Sequence, residues 1–298
     1  MAWRQYGKVK VEPSDETPTK PRYSLTADIL GYRLCPRQYG FFNVRGYVPA
    51  RTVQFFYGTI IHGVLDRCHH HYQGREDIST KCTLPDDSDI DRYFGEVEAS
   101  LKARGITAIN RDLVTQAKEV LNKFNRIEGP SLYPRVKDTE HRVQSDREQY
   151  IVEGVVDVLL YAGGGVEIWD YKGSKKPDKK NQSLLDSYEY QMRVYAWLYH
   201  KRNGEYPKKA VLYFMNELRD KEVRSRPPNA MHEVDISPDL IQKALDEFDQ
   251  TAHEILGSKE SDDWGPPNDT TPIADTCTIC DIRWSCDSIS DERKPKIN

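Results

Sequence analysis

The sequence predicts a mixed α/β fold around one sheet. Helical periodicity runs to about residue 128, strand-like runs rich in Val, Ile and Tyr follow, and helix, strand and helix then succeed one another. From Ser24 to about Tyr39 the apolar positions Leu25, Ile29, Leu30 and Tyr32 recur at helical spacing, with Ser24 or Thr26 as N-cap. Pro36 is expected to end that helix near Cys35. A second helix is expected from Thr52 to about Tyr72, burying Phe55, Phe56, Ile60, Ile61, Val64 and Leu65 and carrying His62. Its end holds His69, His70 and His71, which as consecutive helical residues cannot all face one metal, so the run reads as a solvated helix end.

Between about Asp86 and Glu128, two more helical patterns separated by Gly105 read as an inserted helical subdomain. Strand signals then cover Glu140 to Asp146, Gln149 to Tyr161 and Val166 to Lys172. An aromatic-rich helix follows from Tyr188 to Tyr199, then a strand from Ala210 to Asn216 and a helix from Pro238 to Leu256 capped by Ser237. A single domain over 23–286 is expected, flanked by flexible tails at 1–22 and 287–298.

Composition narrows the class. Charged residues make up 30% of the 298 residues and hydrophobic ones 38%, as in a globular protein with a well-solvated surface. No apolar run approaches the roughly 18 residues that span a bilayer. The segment from Met1 to Lys20 lacks the apolar core of a signal peptide, so a cytoplasmic, reducing location is expected. There the six cysteines suit metal binding, catalysis or burial better than disulfides. A net charge of −4 is no global mark of nucleic-acid binding, so any such site must be a local basic patch.

The chemistry concentrates in one hairpin. If Gly163 and Gly164 form a two-residue turn, residues whose numbers sum to 327 face one another, which sets Asp157 opposite Asp170. Ile168, Asp170 and Lys172 share a face, so two carboxylates and a lysine converge. Facing acids repel unless a cation lies between them, and hard oxygen ligands suit Mg²⁺ or Mn²⁺. Such an ion can activate water against a phosphodiester. The three glycines from Gly163 to Gly165 also permit other registers, in which both acids face solvent.

Gly154-Val-Val-Asp157, Asp170-Tyr-Lys172 and Gln191-Met-Arg-Val-Tyr195 together resemble the PD-(D/E)XK nuclease signature in its RecB form. Gly58-Thr-Ile-Ile-His62 resembles the upstream Gly-x-x-x-His helix of that family, and the resemblance spans roughly Tyr23 to Cys286. It implies a restriction-endonuclease-like mixed sheet flanked by helices. It also implies that Asp157, Asp170, His62 and the Tyr171 carbonyl are metal ligands, and that Lys172 is the catalytic lysine. Asp170 stands where the family often has Glu. Gln191 and Tyr195, at i and i+4, lie on one helical face and are expected beside the same strand or phosphate.

Cys277-x-x-Cys280-x5-Cys286 clusters three thiols in a segment too polar to bury them as core, which reads as a metal site short of one ligand. Cys35, Cys68 and Cys82 are the candidates for the fourth. Spacing alone does not separate zinc from iron-sulfur. The resemblance implies Cys35, which is followed by Pro36 as in iron-sulfur nucleases of the RecB type, and with it a structural [4Fe-4S] cluster. Such nucleases include the AddB nuclease domain, the Dna2 nuclease and the CRISPR-associated exonuclease of spacer acquisition. Cys68 and Cys82 are then ordinary reduced thiols.

Lys172 to Lys180 carries five lysines, of which Lys175, Lys176, Lys179 and Lys180 are expected to meet a DNA backbone leaving the metal site. Around Cys35, the residues Tyr32, Arg33, Arg37, Tyr39, Phe41, Phe42 and Arg45 interleave aromatic and basic groups suited to a single strand or to packing the cluster. The expected activity is metal-dependent exonuclease cleavage of single-stranded DNA or DNA ends, leaving a 5′-phosphate and a 3′-hydroxyl. The resemblance implies a role in CRISPR spacer acquisition or DNA repair. No Gly-x-x-x-x-Gly-Lys-Ser/Thr motif is present, so any unwinding is expected to come from a partner helicase; the resemblance implies CRISPR integration proteins as further partners, and no membrane partner is expected. The rival is a non-catalytic iron-sulfur DNA-binding adaptor.

Overall fold

The runs of Val, Ile, Leu and Tyr after residue 135 form the centre of the sheet. The computed structural model describes residues 20–47, 53–75, 77–108, 110–266, 276–277 and 280–286, so most of both expected tails lies outside the described residues. Six strands are described: β1 (Arg22–Ser24), β2 (Val136–Asp146), β3 (Ile151–Ala162), β4 (Gly165–Lys172), β5 (Lys209–Phe214) and β6 (Met231–Val234). The sheet runs β1-β3-β4-β5-β6, with β2 also paired to β3. The pairs β2/β3, β3/β4 and β5/β6 are antiparallel, whereas β1/β3 and β4/β5 are parallel.

Five long helices cover the two faces: α1 (Val53–Gln73), α2 (Asp87–Ala103), α3 (Arg111–Ile127), α4 (Gln182–Asn203) and α5 (Pro238–Ser261). One core lies between the sheet, α4 and α5, and includes Val156, Leu159, Ile168, Tyr195, Leu198 and Phe248. A second lies on the opposite face, where α1, α2 and α3 pack Phe56, Ile60, Phe94 and Phe124 against Val158, Trp169 and Tyr171. Alternation along β4 decides this division, sending Ile168 to one core and Trp169 and Tyr171 to the other. No helix among the described residues is long and apolar enough to cross a membrane.

Two local expectations change, while the helix before Pro36 ends as expected: Gly31–Leu34 stops at Cys35. Cys35 is extended (φ −163°) and caps a new turn, Pro36–Tyr39, in which proline takes a first-turn position that needs no N–H donor. The histidine run is not a solvated end: His69 and His71 are buried, at 1% and 5% exposure. Because α1 is covered by the insertion helices as well as the sheet, His71 Nδ1 meets Tyr93 OH at 2.8 Å and its Nε2 meets Thr83 Oγ1 at 3.2 Å, while His69 lies between the Tyr133 and Tyr171 rings. Burial lowers the His69 pKa to about 3 and keeps its ring neutral. Ser237 stands at the α5 N-cap position without a side-chain cap bond. The short edge strand β6 carries no pattern that sequence periodicity detects.

Candidate active site

The site forms where two strands part. Ala162 faces Gly165 and Val158 faces Trp169, the register expected from the Gly163-Gly164 turn, in which Gly164 takes φ +77°. Pairing stops after Trp169, while β4 continues alongside β5 to Lys172. The strands therefore diverge at Asp157 and Asp170. On the same edge of β3, β1 ends at Ser24, and the gap between β1 and β4 opens as a cleft of about 420 Å³. The Tyr171 backbone N–H and C=O freed by the divergence are satisfied inside the site. Tyr171 N–H donates to Asp157 Oδ2 at 2.7 Å, and the Tyr171 carbonyl lies 2.7 Å from His62 Nε2, brought in by α1.

Asp170 and Lys172 project to the face covered by α4. Lys172 Nζ lies 2.7 Å from Asp170 Oδ2 and donates to Gln191 Oε1 at 2.8 Å. Gln191 Nε2 donates to Asp170 Oδ1 and to the Tyr195 hydroxyl, both at 3.0 Å. One amide thus orients a carboxylate and an ammonium, and Tyr195 in turn orients the amide. Gly154 permits this: a Cβ there would stand 2.6 Å from Tyr195 Cε1. Gly154→Ala is expected to push the ring aside, destabilising the fold by about 1–3 kcal/mol and lowering turnover roughly 10²-fold through misplacement of Gln191. A kinetic assay beside a thermal melt checks this, and wild-type turnover in the variant would remove Tyr195 from the network's function.

On the other side of Asp157, ligand atoms of His62, Glu140 and Asp157 lie within 4.8 Å of one another. Glu140 is the residue that sequence reading missed. It sits in β2 between Thr139, paired with Val158, and His141, paired with Val156, hence across from Asp157. Its φ of +46° is left-handed, a departure from strand geometry that turns a residue out of the ordinary alternation. Only the β2/β3 register reveals it, and the Arg147–Tyr150 connection carries no signal short enough to set that register.

The electrostatics match a cation-binding centre. Burial disfavours charge on the His62 ring, but the Asp157 carboxylate outweighs it and raises the pKa to about 9. Partial burial and the Asp157 charge raise Glu140 to about 7. Burial also works against the Asp157 charge, and His62, the Tyr171 N–H and Lys172 overcome it, holding Asp157 low. Burial raises Asp170 against the pull of Lys172, with Asp157 adding to the rise. A bound cation needs neutral His62 and ionised Glu140, so it must displace protons that are present at low pH. Apparent Mn²⁺ affinity is therefore expected to climb between pH 6 and 9, by roughly tenfold per unit for each proton displaced. Calorimetric titration across that range checks this, and a flat profile would contradict it.

The structure thus brings together His62, Asp157 and the Tyr171 carbonyl on one side, and Asp170, Lys172, Gln191 and Tyr195 on the other. Among the lysines that follow, Lys175, Lys179 and Lys180 are exposed and Lys176 is half-buried. Their loop is anchored by Asn216 Nδ2 to the Gly173 carbonyl at 2.7 Å and by Lys176 N–H to Glu217 Oε1 at 3.0 Å.

A separate cluster gathers Cys35, Cys277, Cys280 and Cys286, all buried and none in a disulfide. The turn after Cys35 reaches three of the four sulfurs. Gln38 N–H donates to Cys35 Sγ and Gln38 Nε2 to Cys280 Sγ, both at 3.4 Å, and Arg37 Nη1 donates to Cys286 Sγ at 3.5 Å. Burial raises the Cys35 thiol pKa, and Cys277 and Cys280 add to the rise. Cys68 is buried and Cys82 exposed, both free.

A sequence profile described as the PD-(D/E)XK nuclease superfamily matches residues 28–287. No curated protein gives a significant match. Among solved structures, a "Putative exonuclease" from Eubacterium rectale shares the fold at TM-score 0.53 and 14% identity, covering 92% of this chain and 90% of that one. The protein SSO0001 aligns at TM-score 0.38 and 14% identity over 92% of this chain and 89% of that one. A Vibrio cholerae protein, VC1899, aligns at TM-score 0.22 and 13% identity over 84% and 65%.

Proposed function

Since this chain belongs to the PD-(D/E)XK nuclease superfamily, we propose that it is a metal-dependent DNA exonuclease acting on single strands or ends and leaving a 5′-phosphate and a 3′-hydroxyl. The observation that carries this reading is the convergence of His62, Glu140 and Asp157 beside the Asp170–Lys172 pair in one cleft. His62, Glu140, Asp157 and the Tyr171 carbonyl would hold Mg²⁺ or Mn²⁺, with Asp170 the further carboxylate. When bound, the ion supplies Lewis acidity and activates water toward a phosphodiester. Lys172 orients the attacking water and neutralises charge that builds on the phosphate. Gln191 holds Lys172 and Asp170 in register, and Tyr195 holds Gln191.

DNA follows the anchored lysine loop. No ion pair occupies Lys175, Lys176, Lys179 or Lys180 among the described residues, so their charge is available to phosphates without regard to base sequence. On the resemblance of the Cys35-Pro36 and Cys277-x-x-Cys280-x5-Cys286 pattern, the proposal includes a [4Fe-4S] cluster held by Cys35, Cys277, Cys280 and Cys286, which would tie the two ends of the domain together; zinc is the competing occupant. A role beside CRISPR integration proteins in spacer acquisition, or beside a helicase in repair, rests on the resemblance, and a cytoplasmic location on the polar segment from Met1 to Lys20.

End-labelled single- and double-stranded oligonucleotides, incubated with Mn²⁺ or Mg²⁺ over a range of salt, test the reading. Chelator-sensitive shortening of single strands with 5′-phosphate products is expected. Tight binding without cleavage at any metal concentration would instead support the adaptor.

A further inference from the structure

The helix that carries Gln191 and Tyr195 presents a third residue to the cleft. Tyr188 lies three positions before Gln191, on the same side of α4. Its half-buried ring lines the cleft wall and packs against Phe214, fully buried at the end of β5, with centroids 6.3 Å apart and planes at 45°. Phe214 and the helix therefore set the plane of the ring. Lys172 Nζ lies 4.4 Å from its centroid.

The Lys172 ammonium has three N–H donors. Gln191 Oε1 accepts at 2.8 Å and Asp170 Oδ2 lies at 2.7 Å. The electron-rich face of Tyr188 covers a further side of the ammonium and attracts it without offering an acceptor atom. That distinction matters for chemistry. A carboxylate in this place would compete with the incoming phosphate for the lysine, whereas water would leave the flexible four-carbon stem free to wander.

We propose that Tyr188 is a positioning residue whose ring face holds the Lys172 ammonium at the cleft. The inference rests on the nuclease reading above, in which Lys172 is catalytic. It concerns the ring rather than the hydroxyl, and turnover rather than DNA affinity.

The test is single-turnover and steady-state cleavage by the full chain with Mn²⁺, using Tyr188→Phe, Tyr188→Leu and a series with mono-, di- and trifluorophenylalanine at position 188. Fluorination drains the ring face while keeping its shape, so the series stays informative even where leucine impairs folding. Tyr188→Phe is expected to stay within about twofold of wild type, and Tyr188→Leu to lose roughly tenfold in kcat with KM nearly unchanged. The fluorinated series should fall stepwise in kcat. A flat series in an enzyme that Lys172→Ala inactivates would overturn the Tyr188 role alone, as would an effect confined to KM, which marks base stacking. Absence of metal-dependent cleavage by the wild type would overturn the nuclease reading and this inference together.

Discussion

Asp157→Asn is expected to lower Mn²⁺-dependent DNA cleavage by roughly 10³-fold or more while the protein keeps its melting temperature close to wild type. The two outcomes have different causes. Asp157 Oδ1 lies 3.4 Å from His62 Nδ1, and Asp157 belongs to the set of ligand atoms gathered within 4.8 Å, so losing its charge removes a hard ligand and the partner that orients the imidazole. Its other oxygen accepts the Tyr171 N–H at 2.7 Å, and an asparagine carbonyl can accept the same bond. The amide also relieves repulsion from Asp170 and Glu140, so the strand divergence should survive. Single-turnover kinetics with a parallel melt and Mn²⁺ titration checks all three. A variant that still cleaves at near wild-type rates with undiminished Mn²⁺ affinity would move the metal away from this carboxylate.

Under the proposed [4Fe-4S] cluster, Cys35→Ser is expected to lower bound iron from about four atoms per chain to below one, to bleach the protein, and to lower its melting temperature. The substitution separates two roles of one atom. Cys35 Sγ accepts the Gln38 N–H at 3.4 Å and so caps the Pro36–Tyr39 turn. Serine is among the preferred N-caps, so the turn is retained or strengthened while the thiolate is lost. Destabilisation can then be assigned to the missing ligand rather than to a frayed helix. Iron analysis and the visible spectrum after anaerobic purification decide it. Full iron in the variant would shift the fourth ligand to another cysteine, and a wild-type protein that carries zinc would replace the iron.

The hairpin register was legible because it depends on local features: a glycine turn of defined length and strict alternation of side chains. Once Gly163 and Gly164 close the turn, the register from Ala162/Gly165 to Val158/Trp169 follows and brings Asp157 and Asp170 to the point where the two strands part. The Gln191/Tyr195 pair was legible for the same reason, since helical spacing alone puts them on one face. Glu140 was not, because its approach to Asp157 depends on a register between β2 and β3 and on a left-handed backbone at one residue. Tyr188 was read only as an aromatic at the start of a helix. What makes it a neighbour of Lys172 is the packing of α4 across the end of β5, which no local pattern encodes. The histidine run misled because its solvation depends on which faces of α1 the insertion covers, a tertiary property.

The proposed chemistry of this cleft is hydrolysis of DNA with a metal and Lys172. The most direct measurement incubates metal-stripped wild type and Lys172→Ala with end-labelled single-stranded DNA while Mn²⁺ is titrated back. Cleavage is expected to appear with Mn²⁺ in the wild type and to fall by roughly 10²–10³-fold in the variant, with Mn²⁺ binding retained in both. Cleavage that persists without metal, or at equal rates in the two proteins, would contradict it.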